Sequence, residues 1–167
     1  MSYSLDTLLN TPTIKITKEG SNMSDESNGG VPKSFYLTSG AALLWNIMGL
    51  GAYVSQVTMS PDALSVLPDT ERALYENMPV WATSAFAIAV TAGVLGCLLL
   101  LIRKSLALPI LALSLVAALV QNFNSFVLMN ALSVVGGMGA LISVAVIVVG
   151  VYLVWLANDA KKKGWLS

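Results

Sequence analysis

The stretch Leu98-Leu-Leu-Leu-Ile-Arg-Lys-Ser-Leu-Ala-Leu-Pro-Ile-Leu111 decides the fold. Two cations, Arg103 and Lys104, stand between two long apolar runs. Upstream, residues 77–102 carry no formal charge, and downstream none appears until Asp159. Each run is long enough to cross a hydrocarbon layer, which takes about 20 apolar residues as a helix. The cations therefore mark a tight turn at a membrane surface, with one span entering it and one leaving it.

Working outward, residues 34–61 form another charge-free run, and residues 105–158 are too long for one crossing. The latter divides at Asn130-Ala-Leu-Ser-Val-Val-Gly-Gly-Met-Gly139, where Gly136, Gly137 and Gly139 can form a turn. Four spans result, at about 35–57, 79–102, 106–129 and 138–157. The expected fold class is an all-α membrane protein: a four-transmembrane-helix bundle with a short extracytoplasmic helical loop after its first helix. Composition agrees. Of the 167 residues 56% are hydrophobic and 11% charged, whereas soluble domains carry about 25% charged residues.

Lys33, the Arg103–Lys104 turn and Lys161–Lys163 fall on one side of such a bundle. Basic residues mark the cytoplasmic side, so both termini are expected there, in an inner (plasma) membrane. The other side holds Asp62, Asp69, Glu71, Arg72 and Glu76. Tyr75 and Trp81 near that side, and Tyr36, Trp155 and Trp165 near the basic one, suit interfacial belts. In the first loop Ser60 can cap a short helix with Pro61 at its first position and Asp62 in its first turn. Pro68 ends it, and Asp69 can cap a second. Their apolar sides suit an interfacial cover over the bundle, as an ordered connector or a lid.

Residues 1–34 are polar and expected to be a disordered cytoplasmic tail. Lys18-Glu19-Gly20 stands just ahead of Met23, and its codons can spell a ribosome-binding sequence. Translation is therefore expected to begin at Met23, with residues 1–22 a mis-called start. A basic cytoplasmic tail is expected over 160–167.

There is no histidine, and Cys97 is the single cysteine. A His/Cys metal cluster, an intrachain disulfide and Ser-His or Cys-His nucleophiles are excluded. The chain is not expected to be an enzyme, and no cofactor is expected. With no basic face, nucleic acid is not an expected partner.

The spans lack the carboxylates or histidines of proton relays. Their polar groups are neutral. On the first span Ser39, Asn46, Tyr53 and Gln56 recur at spacings of 7, 7 and 3, on one face. On the third, Ser114, Gln121 and Ser125 share a face that Asn122 and Asn124 widen. The second adds Ser84 and Thr91, seven apart. The candidate intramembrane face is Asn46, Tyr53, Gln56, Ser84, Thr91, Gln121, Asn122 and Ser125. Such groups can bind an uncharged solute. They can equally be interhelical glue, worth about 0.6 kcal/mol per hydrogen bond. A packed core would join Asn46, Gln56 and Gln121 to one another.

Three stretches carry a resemblance: "LLWNIMGLGAYVSQVTMSPDALSVLPDTERALYENMPVWATSAFAIAV" (43–90), "GVLGCLLLLIRKSLALPILALSLVAALVQ" (93–121) and "KKKGWL" (161–166). From about Ala42 to Leu166 the chain resembles a family of short bacterial four-helix inner-membrane proteins often labelled "sugar transporter". The resemblance implies an integral membrane protein that handles uncharged solutes such as sugars. Carriers generally build their site between two repeats, so a homo-oligomer or a larger membrane complex is expected beside the lipid bilayer. The alternative is a non-transporting accessory or scaffold subunit.

Overall fold

The computed structural model describes residues 30–167. The expected start at Met23 and the expected disordered tail, except residues 30–34, lie outside that range. Six helices follow in order: α1 (Lys33–Val57), α2 (Pro61–Ser65), α3 (Asp69–Glu76), α4 (Val80–Leu101), α5 (Ala107–Phe123) and α6 (Leu132–Lys162). A π-helical turn, Asn124–Leu128, prolongs α5. Four stretches are long and apolar enough to cross a membrane: Lys33–Val57, Val80–Leu101, Ala107–Leu128 and Gly136–Lys162. They are compatible with a multi-pass integral membrane protein.

Local chemistry explains most helix ends. Pro32, with extended backbone, precedes α1 and brings Lys33 and Ser34 into the helix rather than the tail. Ser60 caps α2 as expected: its hydroxyl accepts from the Ala63 amide at 3.2 Å. Asp69 does not cap α3. Pro68 takes the cap position, and Asp69 becomes the first helical residue, paired with Arg72. The turn before α6 also differs from expectation. Asn130 (φ 47°) and Gly136 (φ 64°) reverse the chain, while Gly137 and Gly139 are helical. At its far end α6 runs past Ala157 to Lys162, where Lys161 and Lys162 complement the helix dipole.

Sequential helices pack side by side: α1 on α4, α4 on α5, α5 on α6. The buried face of α4 is a stripe of mostly small side chains, Ala82, Ala85, Ala89, Ala92, Gly93, Gly96 and Cys97. Small residues let neighbouring helices approach closely, which is how apolar spans gain packing without a hydrophobic drive between them. Leu111 of α5 fills the notch at Gly96, where a Cβ would meet its side chain at 2.5 Å.

The bundle is packed unevenly. Phe35, Cys97, Leu100, Ala107, Leu111, Leu153, Leu156, Ala157, Ala160 and Leu166 form one buried cluster at the end that carries Lys33, Arg103, Lys104 and Lys161–Lys163. A backbone clasp reinforces this basic end. Ser105 N–H donates to the Ser167 carbonyl (2.9 Å), and Ser167 N–H donates to the Arg103 carbonyl (2.8 Å). Arg103 Nε donates to the Trp165 carbonyl at 2.7 Å, and Trp165 packs edge-on against Phe35 with centroids 5.8 Å apart. α6 ends in a Schellman turn: Gly164 (φ 70°) lets Trp165 N–H reach the Ala160 carbonyl and its own N–H reach Lys161.

Candidate functional site

The opposite half of the bundle is open. A cleft of about 560 Å³ runs between α1 and α6 and is floored by α4 and α5. A second compartment of about 300 Å³ lies above it, beneath α3. Gln121, Ile142 and Ser143 line both, so the two adjoin. The lower compartment ends blind on Leu111 and Leu153, which belong to the buried cluster at the basic end.

Polar groups stand in tiers along this path. Lowest are Asn46 and Ser114, which meet at Gly93. A Cβ on Gly93 would overlap the Asn46 amide and lie 3.2 Å from Ser114 Oγ. Asn46 Nδ2 donates to the Ala42 carbonyl at 2.8 Å and to Cys97 Sγ at 3.5 Å. Ser114 Oγ donates to the Ala89 carbonyl at 2.6 Å. This tier ties three helices together and spends its donors on doing so.

Gln121, Asn122 and Ser143 form the middle tier. Seven residues at 1.5 Å rise place Gln121 about 10 Å above Ser114. Gln121 Nε2 donates to Ser125 Oγ at 3.1 Å, and Asn122 Nδ2 to the Ala118 carbonyl at 2.8 Å. Both bonds stay within one helix, and among the described residues no donor reaches the two amide oxygens. The upper tier holds Gln56, whose Nε2 donates to Met78 Sδ at 3.1 Å, together with Ser125 and Glu71.

Asn46, Gln121 and Asn122 thus line the lower compartment, and Gln56, Gln121 and Ser125 the upper one. The amides of α1 and α5 share the cleft without bonding to one another. Tyr53 stands outside both compartments, its ring edge-on to Phe86 at 5.4 Å. The expected inward placement of Ser84 and Thr91 is corrected. Both lie on the exposed stripe of α4 that includes Trp81, Ile88, Leu95 and Leu98, opposite its small-residue face. Thr91 turns its hydroxyl back to its own helix, at 2.6 Å from the Ala87 carbonyl.

Two contributors lay beyond the sequence reading. Ser143 is an isolated hydroxyl in an otherwise apolar run, and no partner spacing marks it. Glu71 reads as one of several acids on a loop, yet it borders the upper compartment. The expected place of Asn124 on the widened face is corrected: it is 1% exposed, its amide donating to Met129 Sδ at 3.4 Å, so it braces the π-helical turn instead of lining the cleft. Among the described residues no group of three or more acids and cysteines is placed to hold a metal ion.

No protein family, curated protein or solved structure matches this chain.

Proposed function

We propose that the chain is a multi-pass inner-membrane protein, bacterial in origin, that receives an uncharged solute in the cleft between α1 and α6. It is transporter-like, acts as an oligomer, and keeps both termini in the cytoplasm. The observation that carries this reading is the cleft itself. Its two adjoining compartments lie between α3 and the packed cluster at the basic end. Among the described residues its lower compartment is lined by neutral amides and hydroxyls and the Trp45 indole, with no charged side chain. Its volume lies within the roughly 300–1,000 Å³ of small-molecule pockets. The resemblance noted above points to sugars as the solute class.

Uptake of labelled uncharged solutes, from free sugars to glycosides with an apolar chain, into liposomes containing the purified protein tests this directly. Saturable flux that Gln121→Leu with Asn122→Leu removes is the expected outcome. Absence of flux for sugars and other neutral solutes overturns the transport reading.

One observation favours a second reading, an accessory subunit. The outward faces of α1 and α6 carry many exposed apolar side chains, and a Cβ on Gly40 or Gly51 of α1 would meet nothing within 4 Å. A partner helix could approach there closely. Co-purification of one abundant membrane complex, with no flux in liposomes, would decide for it.

A further inference from the structure

The walls of the cleft restrict what can fill it. The lower compartment is bounded by Trp45, Met48, Phe86, Leu115, Val146 and Val149, among others. Its polar groups are concentrated in the middle tier at Gln121, Asn122 and Ser143, with the donors of Asn46 and Ser114 already committed below to Ala42, Cys97 and Ala89. Above stands Glu71, on a connector that also carries Asp62, Asp69 and Glu76. The connector's single cation, Arg72, is engaged by Asp69. The cleft also has an open edge. α1 packs on α4 and α6 on α5, and no comparable interface joins α1 to α6.

Each feature excludes a class of occupant. A free hexose in the lower compartment would leave most of its hydroxyls without partners, at the cost of burying unsatisfied polar groups. A plain hydrocarbon would strand the oxygens of Gln121 and Asn122. An ionic headgroup of either sign would exchange its hydration for neutral amides and hydroxyls alone, since Glu71 is exposed to solvent and, among the described residues, no charged side chain lines the lower compartment. Entry from the bilayer through the edge between α1 and α6 suits a molecule already dissolved in lipid.

We infer that the cleft binds an uncharged amphiphile, its apolar body in the lower compartment and its hydrogen-bonding head among Gln56, Gln121, Asn122 and Ser143. This rests on the uncharged-solute reading and narrows it. The amide oxygens of Gln121 and Asn122 accept from the head, and Ser143 can donate or accept.

The test uses the full chain in phosphatidylcholine nanodiscs. Cys97→Ala removes the native thiol. Ala118→Cys places a thiol in the lower compartment, and Leu113→Cys places one on the exposed face of α5 as a control. Alkylation by N-ethylmaleimide is timed with octyl glucoside, glucose, decyl sulfate or a decyl trimethylammonium salt present. The expected result is several-fold slowing at position 118 by octyl glucoside alone, with position 113 unaffected. Gln121→Leu with Asn122→Leu then weakens that protection about tenfold or more, the loss expected for two neutral hydrogen bonds. Equal protection by glucose overturns the amphiphile and leaves the uncharged-solute reading standing. Equal or stronger protection by either charged chain overturns the claim of an uncharged head. A reactive thiol that no probe shields overturns both readings. If Ala118→Cys does not fold, Val146→Cys reports on the same compartment; a folded protein unreactive at both positions has no open cleft, which also sinks the proposal.

Discussion

At the scale of single residues, Asn46 owes its position to the missing side chain at Gly93. The amide occupies the space a Cβ would need, beside Ser114. Gly93→Ala should destabilise the protein by about 1–3 kcal/mol, the usual cost of overpacking. The same change should cost less when Asn46→Ala has emptied the notch, because neighbouring sites couple. Thermal unfolding of the four members of this cycle in detergent measures the coupling, and additivity would deny the contact. Arg103 supplies a second case. It is a non-glycine residue at φ 61°, ending α4 where glycine is the usual choice, and its guanidinium holds the Trp165 carbonyl. Arg103→Ala keeps the strain and loses the bond, whereas Arg103→Gly loses the bond but also relieves the strain. The glycine variant should therefore be the more stable by about 1 kcal/mol. Neither feature could be read from the sequence. Asn46 stood out as an amide in an apolar run, but nothing there names the residue that makes room for it.

At the scale of elements, the spans were legible because charge and hydropathy alone mark them. Their rotation was not. α4 is apolar around its whole circumference, so its sequence does not say which stripe turns inward. Ser84 and Thr91 are seven apart and share a face, as the spacing requires, but packing selected the small-residue stripe opposite. Helix ends show the same division. Ser60-Pro61-Asp62 announces α2 by side-chain chemistry, whereas three glycines near the start of α6 look alike. Only Gly136, at φ 64° and ψ −167°, occupies a region reserved almost entirely for glycine. Gly136→Ala should cost on the order of 1–3 kcal/mol. Gly137→Ala, in helix with nothing within 4 Å of the added carbon, should be neutral or gain up to about 1 kcal/mol. Loss of helical circular dichroism on heating ranks the two, and equal effects would place the break elsewhere.

For the whole molecule, the distribution of charge predicts which end faces which compartment. Single cysteines at Lys162 and Ser65, in a Cys97→Ala background, should react with an impermeant maleimide from opposite sides of intact cells or spheroplasts. Ser65→Cys should label from outside, and Lys162→Cys only after the membrane is opened. Labelling of both from one side would contradict the three crossings between them. The uneven packing also sets the cost of any alternate state. Opening the basic end means parting Leu111 from Leu153 and releasing the clasp between residues 103–105 and 165–167. That clasp left no trace in the sequence reading, since it is mostly main chain. It also has a timetable. Arg103 is separated from Trp165 by 62 residues. At about 5–20 residues per second, a ribosome leaves the α4–α5 turn without its partner for roughly 3–12 s. The first three spans are made while that end is still unfastened, so the nascent protein passes through a form whose basic face is open, and synthesis of residues 165–167 is what shuts it.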